Sequence, residues 1–242
     1  MTAIAYAIPG RIEDSAGCRA VSTIGAPTTD GPPLVTWPEL RALQASGVVD
    51  VQCHTYSHSK VFCSAAVAGY VTPDYESTPL LNRPSIADSP TPQIRIAIRF
   101  GERRCIWPGH ACPMACASRS MLTFVPDASL ASRAVAIPRF FDRPSWREEL
   151  DAIARDAPAR SESEDARRTA IEEELDRGRS VLNDALRTQA VNHVCLPWGV
   201  SSADSAAALK RLGFRTAFAN RLRGVHAVRQ GDDPYWLKRL PK

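Results

Sequence analysis

Val48-Val49-Asp50-Val51-Gln52-Cys53-His54-Thr55-Tyr56-Ser57-His58 decides the reading of this chain. Its first half is a β-branched run, which favours a strand. Its second half places two histidines four residues apart, directly behind that strand. Imidazoles at this spacing can offer two nitrogens to one divalent metal ion. A metal held in this way polarises a carbonyl and activates a water, the chemistry of metal-assisted hydrolysis. The plainer alternative is two polar residues on a strand-exit loop, making local hydrogen bonds. The metal reading draws on three features. The pair follows the C-terminal end of a strand, where α/β sheets place their sites. Thr55 and Ser57 add hydroxyls. The residues before the pair are strand-like, so helical spacing does not explain it.

The flanking sequence alternates between helix and strand signals. Residues 4–8 are apolar and strand-like, and Pro9-Gly10 ends them. Residues 22–33 are rich in Ser, Thr, Gly and Pro and read as a loop. Thr36-Trp37-Pro38-Glu39 opens a helix, with Thr36 as cap and Glu39 three residues on. Leu40 and Leu43 continue it, and Gly47 ends it. Residues 71–93 carry many prolines and few periodic apolar positions, which reads as a long irregular connection. Over residues 95–138 Arg, Cys, Met and Pro accumulate, and neither helical nor strand periodicity persists. A composition break of this kind is also what a frameshifted stretch would produce. Order returns at Ser145, which with Glu148 fits a capping box, and Ser161 with Glu164 fits a second. The long helix that follows places Ile171, Leu175, Leu182 and Leu186 on one face. Residues 191–196 read as a strand, Ser202 or Asp204 starts another helix closed by Gly213, and residues 214–218 are strand-like. Such alternation predicts an α/β fold with a largely parallel sheet.

At 242 residues the chain is long enough for a full core. Its 44% hydrophobic and 23% charged content is that of a globular protein. The net charge of +4 is spread along the chain, so nothing marks a nucleic-acid stripe. No apolar run reaches the ~18 residues of a membrane span. Met1 to Gly10 lacks a basic leading segment and is not read as a signal peptide. The seven cysteines follow no disulfide framework, which predicts reduced thiols in a cytoplasmic protein.

The block from Val35-Thr36-Trp37-Pro38-Glu39-Leu40 to Gly47, then Val51 to His58, resembles the second motif region of polysaccharide deacetylases, the NodB-homology or carbohydrate esterase family 4 enzymes. In that family a helix leads into a strand ending in H-[ST]-x-x-H, and both histidines bind the catalytic metal. The resemblance therefore implies His54 and His58 as metal ligands and a divalent ion, zinc foremost, as cofactor. The later block Val191-Asn192-His193-Val194-Cys195-Leu196-Pro197-Trp198-Gly199, with the helix to Leu212-Gly213-Phe214 and Ala217-Phe218, is similar to the family's Pro-aromatic-Gly turn. It implies that Pro197 and Trp198 line a substrate groove, although an ordinary core aromatic would also account for Trp198. Gly231-Asp232-Asp233-Pro234-Tyr235 resembles the C-terminal end of such domains, and the first ten residues, including Ile8-Pro9-Gly10-Arg11-Ile12, the family's second strand. The implied fold is a deformed (β/α) barrel of the glycoside hydrolase/deacetylase type, incomplete, in one domain over residues 1–242 with an irregular insert at about 64–143. The implied activity is hydrolytic removal of acetyl groups from an N-acetylated carbohydrate, the expected partner.

Several family features have no counterpart. The family's first motif, T-F-D-D, supplies the general base and a third metal ligand. The Asp-Asp pair of this chain, Asp232-Asp233, lies at the other end, so the first strand is expected to be missing. Cys195 stands where many members carry an arginine. No Leu-x-His supplies a general acid, and His193 and His226 remain as candidates against plain structural roles. An inactive relative that only binds carbohydrate is the alternative. Cys105, His110, Cys112 and Cys116 form a second cluster with metal-binding chemistry, but their spacing matches no common zinc pattern.

Overall fold

The structure, a computed structural model, describes residues 3–20, 34–58, 69–70, 103–104, 124–126, 142–156, 159–161, 163–199, 201–219 and 228–238. The loop over 22–33, the connection over 71–93 and most of the insert at 64–143 lie outside these residues, as do His226 and the cluster of Cys105, His110, Cys112 and Cys116.

Strand β1 (Ala3–Ala7) opens the fold, and Pro9–Arg11 turns the chain in a short 3-10 helix with proline at its start. Helix α1 (Trp37–Ala45) begins where Thr36 and Glu39 predict it. The Glu39 carboxylate accepts the Thr36 N–H at 2.9 Å. Gly47, at φ 69°, takes the left-handed position that releases the chain into β2 (Val49–Cys53). Strands β3 (Gly69–Tyr70) and β4 (Arg103–Arg104) form an antiparallel pair. So do β5 (Phe124–Pro126) and β6 (Ala159–Ser161), with α2 (Trp146–Asp156) between them in sequence. Helix α3 (Glu164–Leu186), β7 (His193–Cys195), a 3-10 turn at Pro197–Gly199, α4 (Ala203–Arg211), β8 (Thr216–Ala219) and β9 (Leu237–Lys238) complete the order.

One predicted cap moves and another changes its partner. Ser161 is committed to the backbone ladder opposite Phe124, so it cannot cap α3. Ser163 takes over, its hydroxyl accepting the Ala166 N–H at 3.1 Å. At α2, Ser145 donates its hydroxyl to Glu149 at 2.8 Å rather than closing a box with Glu148. Glu149 is one turn from Ser145 and is also gripped by Arg143 at 2.8 Å.

The main sheet runs in the order β1-β2-β7-β8-β9, and every neighbouring pair is parallel. This order follows the chain without reversal, so the described strands show no switch point of the doubly wound kind. It is the singly wound order of a β/α barrel, present here as an open arc among the described residues. Helix α3 covers it. Ile171, Leu175, Gly178 and Leu182 fall on one stripe at helical spacing and are all buried. Ile171, Leu175 and Leu182 belong to one core with Val51, Cys53, Val194, Leu196, Leu209, Phe214 and Ala217. Each fully buried leucine there contributes about 1.5–3 kcal/mol. Among the described residues no helix is long and apolar enough to cross a membrane.

Candidate metal centre at the end of β2

β2 delivers His54 to the C-terminal edge of the sheet. The His54 N–H donates to the Ala7 carbonyl at 2.8 Å, which extends the β1 pairing by one step. The ring Nδ1 lies against the Cys195 carbonyl on β7. A carbonyl oxygen only accepts, so Nδ1 carries a proton, and in the neutral ring Nε2 then keeps the lone pair. Metal-binding histidines are oriented in this way, with the second ring nitrogen donating to a backbone carbonyl.

The chain then turns sharply. Thr55 has φ 61° and His58 has φ 54°. Among the described residues Arg187 alone joins them as a non-glycine with positive φ, and Arg187 caps the end of α3, where that conformation is common. Each such residue costs on the order of 1–3 kcal/mol and persists only where surrounding contacts over-determine it. Thr55 is fully buried, and its hydroxyl accepts the His58 N–H at 3.3 Å. The result sets the two imidazole rings 4.9 Å apart, centre to centre, at 57°. Two imidazoles bound to one tetrahedral ion through bonds of about 2.0–2.1 Å would have their centres roughly 5 Å apart. The spacing of the rings is therefore compatible with two positions of a metal site. Among the described residues no group of three or more His, Cys, Asp or Glu is placed to hold a metal.

Contacts from both sides hold the loop. Gly10 N–H donates to the Tyr56 carbonyl at 2.8 Å, and Arg11 Nε donates to the Ser57 carbonyl at 3.2 Å. From α3, Glu174 Oε1 accepts both the Ser57 N–H at 2.6 Å and its hydroxyl at 2.7 Å. The Arg177 guanidinium stacks on the Tyr56 ring at 4.0 Å. Helix and loop touch because Gly178 has no side chain. A Cβ there would lie 2.9 Å from Cys53 Sγ and 3.0 Å from backbone atoms of Thr55 and Tyr56.

Cys53 and His193 lie on the two strands that meet beneath the pair. Burial pushes the Cys53 thiol up to about 12, and the Glu174 charge adds to this against the Thr55 backbone and Arg179. Cys53 therefore stays protonated at neutral pH and packs as a small apolar group. The ring of His193 is bonded to the Thr216 hydroxyl at 2.7 Å, a cross-strand contact. Pro197 is buried at the start of the turn two residues beyond Cys195, which puts the turn at the same end of the sheet as the histidines. Trp198 lies on that turn, and its side chain is outside the described residues.

Sequence reasoning singled out the histidine pair and missed what holds it in place. Glu174, Arg177, Arg11 and the Cys195 carbonyl carried no local signal. Gly178 did: an isolated glycine inside a long helical pattern points to close packing.

No protein-family model matches the chain, and no curated protein matches it significantly. Among solved structures it is similar to a de-N-acetylase from Aggregatibacter actinomycetemcomitans, with 13% identity and a TM-score of 0.48 over 99% of this chain and 59% of that one. It is similar to the BpsB deacetylase domain from Bordetella bronchiseptica, with 11% identity and a TM-score of 0.47 over 98% and 60%. It is also similar to IcaB from Ammonifex degensii, with 13% identity and a TM-score of 0.43 over 98% and 55%. The chain thus spans between 55% and 60% of the length of these proteins. Likeness at this level is loose, and the chemistry of the site stands on its own residues.

Proposed function

We propose that this chain is a metal-dependent hydrolase that removes acetyl groups from an N-acetylated carbohydrate, acting on a carbon–nitrogen bond that is not a peptide bond. The observation that carries this reading is the His54 ring, whose tautomer the Cys195 carbonyl fixes, set 4.9 Å from the His58 ring. The resemblance of the H-T-Y-S-H stretch to the deacetylase motif supplies the reaction class. His54 and His58 hold a divalent ion, zinc foremost, and Pro197 and Trp198 line the groove for the sugar. The bound ion supplies Lewis acidity toward the acetyl carbonyl and lowers the pKa of a water. His54 contributes through Nε2, because its other nitrogen is occupied by Cys195. The second reading is a relative that binds carbohydrate without turnover. We also propose a cytoplasmic setting, on the cysteine pattern of the sequence.

Metal analysis combined with acetate release from an N-acetylglucosamine oligomer separates the readings. A hydrolase holds one divalent ion per chain, loses it in His58→Ala, and loses acetate release by about 100-fold or more with it. Retained sugar binding with no acetate from the metal-loaded protein selects the binding reading. A chain that takes up no divalent ion sinks the metal assignment altogether.

A further inference from the structure

We propose that Glu174 is the positioning residue of the histidine pair: through Ser57 it holds the loop in the conformation that sets the two imidazoles side by side. As far as the rings serve a metal, the inference rests on the function proposed above.

The argument begins with how residues 56 and 57 are gripped. Their two carbonyls are held from the β1 side, Tyr56 by the Gly10 N–H and Ser57 by Arg11. The opposite groups of Ser57, its N–H and its hydroxyl, both donate to one oxygen of Glu174, at 2.6 and 2.7 Å. Charge-assisted bonds to a carboxylate are about twice as strong as neutral ones. The peptide plane entering Ser57 therefore cannot rotate while Glu174 is in place. His58 follows directly, in a left-handed conformation that its own backbone does not favour. Thr55, the other left-handed residue, bonds His58 N–H through its hydroxyl, so a rotation at Ser57 would be felt at both.

Helix geometry explains why this carboxylate is the one that reaches. Glu174 and Gly178 are four residues apart and lie one above the other on α3. Gly178 lets the helix backbone close on Thr55 and Tyr56, and that approach carries Glu174 up to Ser57. The preceding glutamates face elsewhere: Glu172 pairs with Arg211 on α4, and Glu173 is exposed.

The test compares the full chain with Glu174→Ala, Glu174→Gln and Ser57→Ala. Two readouts are taken. One is the imidazole nitrogen NMR spectrum of the metal-free protein, with His54 and His58 assigned through their alanine variants. The other is Zn²⁺ affinity by competition with a chelator. In Glu174→Ala the ring resonances shift and Zn²⁺ affinity falls about 10–100-fold, the range for outer partners of metal ligands. Glu174→Gln keeps an acceptor oxygen and stays nearer to wild type on both readouts. If both variants leave rings and affinity unchanged, or move only the unfolding midpoint, the inference is overturned. Should Glu174→Ala fail to fold, Ser57→Ala decides. It loses the hydroxyl bond and keeps the N–H bond, so it must shift the rings in the same sense by less, and unchanged rings overturn the inference. The two proposals fail separately. Rings that respond in a wild type unable to bind Zn²⁺ remove the metal and leave the positioning role. Tight Zn²⁺ binding indifferent to residue 174 does the reverse.

Discussion

Gly178 has no side chain, and the backbone of the histidine loop occupies the space one would take. Two opposing effects act on Gly178→Ala. Alanine gains about 1 kcal/mol of helix propensity over glycine. Its Cβ would sit 2.9 Å from Cys53 Sγ and 3.0 Å from Thr55 C and Tyr56 N. Overpacking of this kind costs typically 1–3 kcal/mol. Here it carries more weight, because two of the three neighbours are backbone atoms of a doubly left-handed turn that cannot swing aside. Net destabilisation of about 1–2 kcal/mol is expected, read as a lower urea midpoint at unchanged slope. A midpoint equal to or above wild type would show that the loop yields and that α3 does not brace it. At this scale the sequence showed the candidate pair and hid its supports. The spacing of His54 and His58 is visible at once. Which member of Glu172-Glu173-Glu174 faces the loop depends on the rotation of α3, and the buried stripe of Ile171, Leu175 and Leu182 sets that rotation.

Elements are joined by side chains far apart in sequence. Arg19 reaches α1 and grips Glu39 through Nε at 2.7 Å and Nη2 at 2.6 Å, and its backbone N–H adds a third bond at 3.0 Å. The Arg19 guanidinium first, then the Thr36 N–H, holds the Glu39 carboxyl well below the usual carboxylate range. In the unfolded chain a glutamate titrates near 4.3, so below that pH the unfolded state binds the proton that the native state refuses. The contribution of Glu39 is therefore present above about pH 4.3 and is lost as pH falls toward its native value. Unfolding free energies of wild type and Glu39→Gln should differ most at pH 6–7 and converge between pH 4 and 2. A gap independent of pH would mean that the ion pair does not stabilise α1. The boundaries of α1 were legible because cap, proline and terminal glycine all lie within the element. The start of α3 was not, because Ser161 answers to Phe124, a partner 37 positions earlier in the chain. The short contact of β2 with β7 depends on distance in the same way. Gln52 stitches it by accepting the N–H groups of Asn192 and His193 at 3.0 and 2.9 Å.

For the whole molecule, alternation of helix and strand was enough to give the α/β class, but strand order was not readable. Placing β7 beside β2 depends on pairing Cys53 with Val194, across the entire irregular stretch. That pairing also brings the Cys195 carbonyl to His54, so the step that closes the core builds the candidate site. Stability should accordingly be graded across the arc. In the middle, Cys53, Val194, Ile171 and Leu175 are fully buried, and α3 covers them. At the β1 end, Ala3 and Ile4 are exposed, and Ile4 keeps 54% of its surface open. Local opening needs little free energy where few apolar contacts are lost, and approaches global unfolding where many are. Native-state hydrogen exchange should therefore find the amides of β7 and of the buried stripe of α3 exchanging only through global unfolding. Those of the first half of β1 should exchange through a smaller opening that urea barely promotes. Equal protection of β1 and β7 would contradict this gradient. Early exchange in β7 or the stripe of α3 would contradict the site as well, because the His54 tautomer depends on a β7 carbonyl and the loop beyond it on α3. A pair of rings held to about 0.5 Å requires that its supports open no more often than the core itself.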